Sequence, residues 1–348
     1  MGGQLVKTAL ITGVTGQDGS YLAELLLGKG YRVFGLVRKS SVFNTERVDH
    51  LQTEASSDVN LPYWARHFAD NFFMIYGDLT DGSSIARLIY DIEPDEVYNL
   101  GAQAHVRVSF DQPELTMNVN AVGNLRLLTA IESLNKKKTV KFYQASSSEM
   151  FGNHPAGTLL DESSSFFPCS PYAVSKSTAF WQTCNYRKKG IFAVNGMLFN
   201  HESPRRGATY VTRKITRAAT RIHCGLQKEL VLGNLKASRD WGYAPDYVQA
   251  MYMMLQHDVP DDFVVATGIT KTVQEFLDAV FNKLGLDVDK HVRIDKRYFR
   301  EIELDSLLGN PSKIKSTLEW KPSVGFEDLV DCMVDADMEL AEKQKRSK

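Results

Sequence analysis

The sequence predicts an α/β fold, a doubly wound parallel sheet followed by a smaller C-terminal α/β lobe. Three observations carry this expectation. The first forty residues read strand, glycine turn, helix, strand: KTALIT, a turn through Gly13, Gly16 and Gly19, SYLAELLL closed by Gly28 and Gly30, then YRVFGLVR. Apolar strand-like runs and helical segments then alternate to about residue 200, as parallel strands joined by crossover helices do. Beyond about residue 201 the alternation breaks up, which marks the second lobe.

The opening unit is the first half of a Rossmann-type nucleotide fold. Its glycines are spaced GxxGxxG, and they let backbone N–H groups approach a pyrophosphate at a helix N-terminus. The end of the second strand discriminates between cofactors. An acid there suits the ribose hydroxyls of NAD, whereas basic residues suit a 2′-phosphate. This chain reads Arg38, Lys39, Ser40, Ser41, so NADP(H) is expected. Residues 42–70 lack a clear period and read as a long excursion. NFFMIYGDLTD is a strand with Asp78 at its end, placed for an adenine contact. SSIARLIYDIEP is a helix with a serine near its N-cap, stopped by Pro94. DEVYNLGAQAHV is a strand running into a glycine turn beside the cofactor, and NVNAVGNLRLLTAIESL is an amphipathic helix.

The chemistry concentrates between Tyr143 and Lys176. Tyr172 and Lys176 are four residues apart, so a helix would put both on one face. A nearby ammonium favours the phenolate, which makes a tyrosine a usable general base. Ser147 and Glu149 stand where the strand KFYQAS ends. Serine, tyrosine and lysine together can deprotonate a hydroxyl while a nicotinamide takes the hydride. Glu149 adds an acid or base that plain alcohol oxidation does not need.

In the second half, Tyr210 to Leu226 reads as a helix carrying Arg213, Lys214, Arg217 and Arg221, and KELVLGNL as a strand pair or hairpin. SRDWGYAPDYVQAMYMMLQ reads as a turn and then a helix whose methionines and aromatics are core. TVQEFLDAVFNKLG is an amphipathic helix, and KQKRSK a frayed charged tail. The expected division is 1–200 for the nucleotide domain with the catalytic set and 201–348 for a lobe that mainly binds substrate, with some chain crossing back.

Composition narrows the class. The chain has 348 residues, 43% hydrophobic and 24% charged, with a formal net charge of −1. Nothing in that balance points to nucleic acid or an anionic membrane, so anion binding must come from local basic residues. Cys169, Cys184, Cys224 and Cys332 have no metal-ligand spacing and read as reduced thiols, with no metal expected. No apolar run is long enough for a membrane helix, and MGGQLVK leads straight into a strand without signal-peptide character. A cytoplasmic protein is expected.

With these residues in view, the chain resembles the extended short-chain dehydrogenases, and within them the GDP-mannose 4,6-dehydratase branch. TGVTGQDGSYL, VRKSSVFNTERVDHL, GDLTD, NLGAQAHVRVSF, SSSEMFG, SPYAVSK, LFNHESPRRG, RDWGYAPDYV and the run from YFR to WKP carry the resemblance, in order, over nearly the whole chain. The resemblance implies a hydro-lyase that converts GDP-mannose to GDP-4-keto-6-deoxymannose, toward sugars such as GDP-fucose or GDP-rhamnose. It implies that Ser147 holds the hexose 4-hydroxyl, Tyr172 is its base, Lys176 tunes Tyr172 and binds the nicotinamide ribose, and Glu149 acts at C5 and C6. Gly13, Val14, Thr15, Gly16, Gln17 and Asp18 would hold NADP with Arg38 to Ser41, Asp78, Leu79, Leu100, Gly101, Ala102, Gln103 and Ala104. His201 and Arg206 would add cofactor contacts. Asn200, Val211, Lys214, Arg239, Arg300 and Glu303 would grip the nucleotide sugar, and a diphosphate independently calls for convergent cations. Ser147 stands where relatives often carry threonine, which keeps the hydroxyl. Leu115 stands where relatives can carry a cofactor-touching tyrosine, which removes that contact. The 38–50 segment resembles one that reaches a neighbouring subunit, so a homodimer or homotetramer is implied. An added 4-keto reductase activity, a dehydratase or epimerase of another sugar nucleotide, and a non-catalytic NADP-binding scaffold stand as alternatives.

Overall fold

The apolar and β-branched runs of the sequence become strands in a computed structural model that describes residues 6–51, 65–68, 71–155, 157–299, 302 and 304–347. In chain order these are β1 (Thr8–Thr12), β2 (Arg32–Val37), β3 (Ala65–Phe68), β4 (Phe72–Tyr76), β5 (Glu96–Asn99), β6 (Lys141–Ser147), β7 (Leu159–Leu160) and β8 (Phe192–Leu198). Then come β9 (Asn200–Glu202), β10 (Leu230–Leu232), β11 (Ser238–Tyr243), β12 (Asp262–Val265), β13 (Thr270–Thr272), β14 (Val292–Ile294) and β15 (Ser306–Gly309). The helices of the first half are α1 (Gln17–Gly28), α2 (Gly82–Ile92), α3 (Val106–Asp111), α4 (Pro113–Met117), α5 (Gly123–Asn135) and α6 (Pro171–Lys188). Those of the second are α7 (Val211–His223), α8 (Ala244–Gln256), α9 (Val273–Lys283), α10 (Val288–His291), α11 (Ser312–Leu318) and α12 (Phe326–Arg346).

The chain divides into two units. One comprises Met1–Met150, Phe166–Leu198 and Val248–Phe263; the other comprises Phe151–Ser165, Phe199–Tyr247 and Val264–Lys348. The first is built on a sheet of order β12-β8-β6-β5-β1-β2-β4-β3. Pairs β1–β2, β2–β4, β1–β5, β5–β6 and β6–β8 are parallel. The order runs outward both ways from β1 and β5, which makes their carboxyl ends the switch point where such sheets bind ligands. The parallel strands are buried on both faces, as crossover helices require, with Leu10, Ile75, Val97 and Phe142 packed against Leu88, Leu127 and Ile131 from α2 and α5. At the opposite, amino end of the sheet the carboxylate of Glu96 is 1% exposed. It accepts from Lys7 Nζ (3.2 Å), Tyr31 (3.0 Å), Tyr98 (2.8 Å) and Gln256 Nε2 (3.1 Å).

Three details differ from expectation here. The excursion over 42–70 contains β3, antiparallel to β4; four residues are too short for alternation to show. Residues 52–64 lie outside the described set. The cap of α2 is Asp81, which accepts from the Ser84 N–H at 3.1 Å, rather than a serine. The helix expected over NVNAVGNLRLLTAIESL opens with a π turn at Asn118–Val122 before α5.

The second unit has a five-stranded sheet in which β13-β11-β15-β7 form a path and β9 pairs β11, plus a β10–β14 pair. Its core joins Ile215 and Ile222 of α7, Phe276 and Val280 of α9, and Met333 of α12. Thr272 and Glu275 form a reciprocal capping box that starts α9. Three readings are corrected. KELVLGNL is one short strand whose partner, β14, is parallel and distant in sequence, Leu230 pairing with Val292, so it is no hairpin. SRDWGY is strand β11, because buried Asp240 is satisfied by Thr267 and the Gly268 N–H. The charged tail continues α12 to Arg346. Among the described residues no helix is long and apolar enough to cross a membrane, and no group of side chains could hold a metal ion.

Candidate active site

The glycine turn folds as the spacing demands. Gly13 has φ +70°, and a Cβ there would meet backbone atoms of Leu100 and Gly101 at 2.8–2.9 Å. A Cβ on Gly19 would lie 2.3 Å from the Gly13 carbonyl. Gly16 is the N-cap of α1, and its carbonyl takes the Ser20 N–H while the first turn points its remaining N–H groups out of the helix end. This cradle is open where side chains would close it, and it fits a pyrophosphate. Val14 is fully buried and packs on Gly35, so its role is the shape of the turn. Thr15 gives its carbonyl to Arg47, and Gln17 donates to Asp18 at 3.0 Å.

Arg38, Lys39, Ser40 and Ser41 follow β2 and are all exposed, with the Lys39 ammonium 4.8 Å from the Tyr76 ring centroid. Asp78 lies just beyond β4, one oxygen accepting from the Thr80 N–H and hydroxyl. Leu79 is buried against Gly101. Leu100 to Ala104 form the loop after β5, pinned where Asn120 accepts from the Gln103 N–H (2.8 Å) and donates to its carbonyl (3.1 Å). Leu115, on α4, is 42% exposed.

Helix α6 starts at an N-cap, Ser170, that accepts from the Ala173 N–H, with Pro171 preset at the first helical position. It carries Tyr172 and Lys176 on one face, the ammonium 5.9 Å from the phenol ring centroid. Lys176 is 5% exposed and donates to the Ala145 carbonyl at 2.7 Å. Burial pushes its pKa down to about 8, with the Asp18 carboxylate opposing. Ser147 ends β6, and its Oγ accepts from the Glu149 N–H at 3.2 Å. Its hydroxyl proton is thereby left for another acceptor. Glu149 sits half-buried on the helical turn Ser148–Met150. Tyr172 and Lys176 thus come from α6, Ser147 from β6 and Glu149 from the turn after it, with α6 packed on both.

The remaining residues belong to the second unit. Asn200 and His201 lie on β9; His201 is buried, donates to the Phe199 carbonyl at 2.7 Å and stacks on Tyr247 at 4.6 Å. Arg206 pairs with buried Glu202 (3.0 Å) and lies 3.9 Å over the Tyr210 ring. Val211 is the first residue of α7 and 37% exposed. Lys214, one turn on, lies 4.2 Å from the Tyr298 ring centroid, and burial lowers its pKa. Arg239 on β11 is 7% exposed and donates to the carbonyls of Ser238 and Leu304. Arg300 and Glu303 lie outside the described residues. Sequence reading missed a set of buried polar side chains behind the site: Thr12, Asn99, Asn120, Gln144 and Ser175. Their signal was there, as single amides and hydroxyls inside apolar runs such as VYNL and FYQAS.

The sequence of the GDP-mannose 4,6 dehydratase family matches over residues 10–333. GDP-mannose 4,6 dehydratase 2 of Arabidopsis thaliana is 57% identical, over 97% of this chain and 89% of that one. The GDP-mannose 4,6-dehydratase of Vibrio cholerae serotype O1 is 49% identical, over 97% and 95%. Among solved structures, dTDP-glucose 4,6-dehydratase from Bacillus anthracis in complex with NAD is similar with TM-score 0.80 at 20% identity, covering 99% of this chain and all of that one. RMD from Pseudomonas aeruginosa complexed with NADPH is similar with TM-score 0.75 at 21% identity, covering 96% and 100%. Identity at this level over nearly the full length makes the assignment plain: the chain belongs to the GDP-mannose 4,6-dehydratase family.

Proposed function

We propose that this chain dehydrates GDP-D-mannose to GDP-4-keto-6-deoxy-D-mannose using a tightly held NADP that is regenerated in each turnover. The observation that carries the reading is Lys176, a buried ammonium four residues from Tyr172 and beside the strand end that bears Ser147 and Glu149. Burying a lysine costs stability, and groups perturbed in this way cluster at functional sites.

The bound dinucleotide would supply the redox chemistry, accepting hydride from C4 and returning it to C6. Everything else falls to side chains. The Ser147 hydroxyl, its oxygen already accepting from Glu149 N–H, donates to the sugar O4. Tyr172, held as the phenolate by the Lys176 ammonium, takes the 4-hydroxyl proton and becomes the neutral phenol. Once C4 is a ketone the C5 hydrogen is acidic. Glu149 removes it and passes that proton to the C6 hydroxyl, which leaves as water; C5 is reprotonated at the end, in balance with the proton taken from the 4-hydroxyl. Arg38 to Ser41, exposed and without an acid among them, support the phosphorylated dinucleotide over NAD. Lys214 and Arg239 would meet the diphosphate, together with Arg300, and Asn200, Val211 and Glu303 the rest of the substrate; His201 and Arg206 would complete the cofactor site. A homo-oligomer in which the 38–50 segment meets a neighbouring copy belongs to the same reading, and sedimentation tests it.

The deciding experiment is incubation of the purified protein with GDP-mannose and no added cofactor, followed by mass and NMR. Loss of one water with no net change in bound NADPH is expected. Unchanged substrate, even with NADP⁺ supplied, would overturn the assignment.

A further inference from the structure

Three buried side chains join the loop after β5 to Lys176 by a continuous chain of hydrogen bonds. The Gly101 N–H can only donate, and it donates to Thr12 Oγ1 at 2.9 Å. The Thr12 hydroxyl then sends its own proton on to Asn99 Oδ1 at 2.7 Å. With its oxygen engaged, Asn99 presents Nδ2 to Gln144 Oε1 at 2.7 Å. Gln144 in turn presents Nε2 to the Ala145 carbonyl at 3.1 Å. That same carbonyl accepts Lys176 Nζ at 2.7 Å. Anchored on a backbone N–H and a backbone carbonyl, the chain gives both amides, which are otherwise open to flipping, mutually consistent orientations. Thr12, Asn99 and Gln144 are at most 3% exposed, so water does not replace the partners.

The consequence is electrostatic. The chain ends with the positive end of an amide dipole on the acceptor that the ammonium also uses. In a buried setting that arrangement weakens the hold of Ala145 on Lys176. Strand β5 stops at Asn99, opposite Gln144, so this stretch of β6 runs on without a β5 neighbour and side chains take its place.

We propose that Thr12, Asn99 and Gln144 are positioning residues that keep Lys176 lightly held on Ala145, ready to turn to a ligand hydroxyl, and couple that state to the seating of the Gly101 loop. What Lys176 does after it turns rests on the activity proposed above; its resting state does not. Other ionisable groups lie on the elements packed around α6, among them Glu114 of α4 and Arg126 and Glu132 of α5. Asp18 of α1 favours the ammonium. Tyr172 shares its helix, and Tyr143 of β6, buried and held neutral by desolvation, adds no charge. Glu149 lies on the turn packed against α6, while Arg107 and Asp111 of α3 neutralise each other at 3.0 Å on the exposed side.

The test follows the Lys176 signal in ¹³Cε-lysine-labelled, ligand-free protein through a pH titration, assigned by its loss in Lys176→Met. Thr12→Val keeps the shape and removes the link, and Gln144→Met keeps the volume and removes the dipole. Each is expected to raise the Lys176 midpoint by about half a pH unit or more, while Thr12→Ser restores the wild-type value. Unmoved midpoints in Thr12→Val and Gln144→Met, with only a lower thermal midpoint, would reduce the chain to ordinary core hydrogen bonds and overturn the proposal. Should Thr12→Val fail to fold, Gln144→Met decides alone. If GDP-mannose is not dehydrated, the functional reading fails while this titration still answers its own question. If it is, the pH profile of kcat should shift with the midpoint and KM should hold.

Discussion

Lys176 sets two requirements against each other. Burial holds its pKa near 8 rather than 10.5, so between those values the unfolded chain binds more protons than the folded one. Stability therefore rises with pH across that window, and below it the buried charge costs on the order of 3 kcal/mol as an upper bound. Lys176→Met should abolish turnover yet melt at or above the wild-type temperature at pH 7, and the advantage should shrink as pH climbs toward 10.5. A melting difference that ignores pH would show that the lysine is not buried as a cation. Glu149 is the other residue on which the proposed mechanism turns. Glu149→Gln keeps shape and removes the base, so water loss should fall by about 10²-fold or more with NADP retention unchanged. Dehydration at near-normal rate would remove Glu149 from the mechanism.

At the scale of elements, the start of α1 tolerates least. Gly13→Ala meets both a φ of +70° and backbone at 2.8–2.9 Å, so the variant should lose bound cofactor and stability together, measured as NADP released on purification and as a lower melting point. A cap far from the chemistry gives the contrast. Thr272→Ala removes one half of the α9 capping box and should cost about 1 kcal/mol of stability with kcat intact in denaturant and rate measurements. What sequence could say about elements follows the same physics. The strand–Gly–helix–strand opening was legible because apolar period and glycine geometry agree locally. Strand β11 was not, since SRDWGY is polar by composition and becomes a strand only because Thr267 and Gly268 satisfy Asp240 from elsewhere in the fold. Strand β10 read as half of a hairpin for the same reason: its partner is distant. The YxxxK pair and the glycine turn carry their chemistry in their spacing, whereas Asn99 and Gln144 acquire theirs only when β5 and β6 lie side by side.

For the whole molecule, the unit with the Tyr172–Lys176 helix uses chain from three separate stretches. Its last stretch bears polar groups that earlier parts need. Asp262 accepts from Asn195 Nδ2 at 2.8 Å and pairs with Arg187, and Gln256 is one of the four donors to Glu96. A fragment ending at residue 200 keeps every proposed catalytic residue but leaves these groups short of partners, with Glu96 buried among fewer donors. It should be poorly soluble or molten by near-ultraviolet circular dichroism, and a native-like spectrum would refute the dependence. The carboxylate at the base of the sheet also has a meaning in time. During synthesis β5 leaves the ribosome some hundred and sixty residues before Gln256 does. Until then the carboxylate at the amino end of the sheet lacks one of its four donors, so the nascent nucleotide half must wait, incomplete, while the first two stretches of the other unit are made.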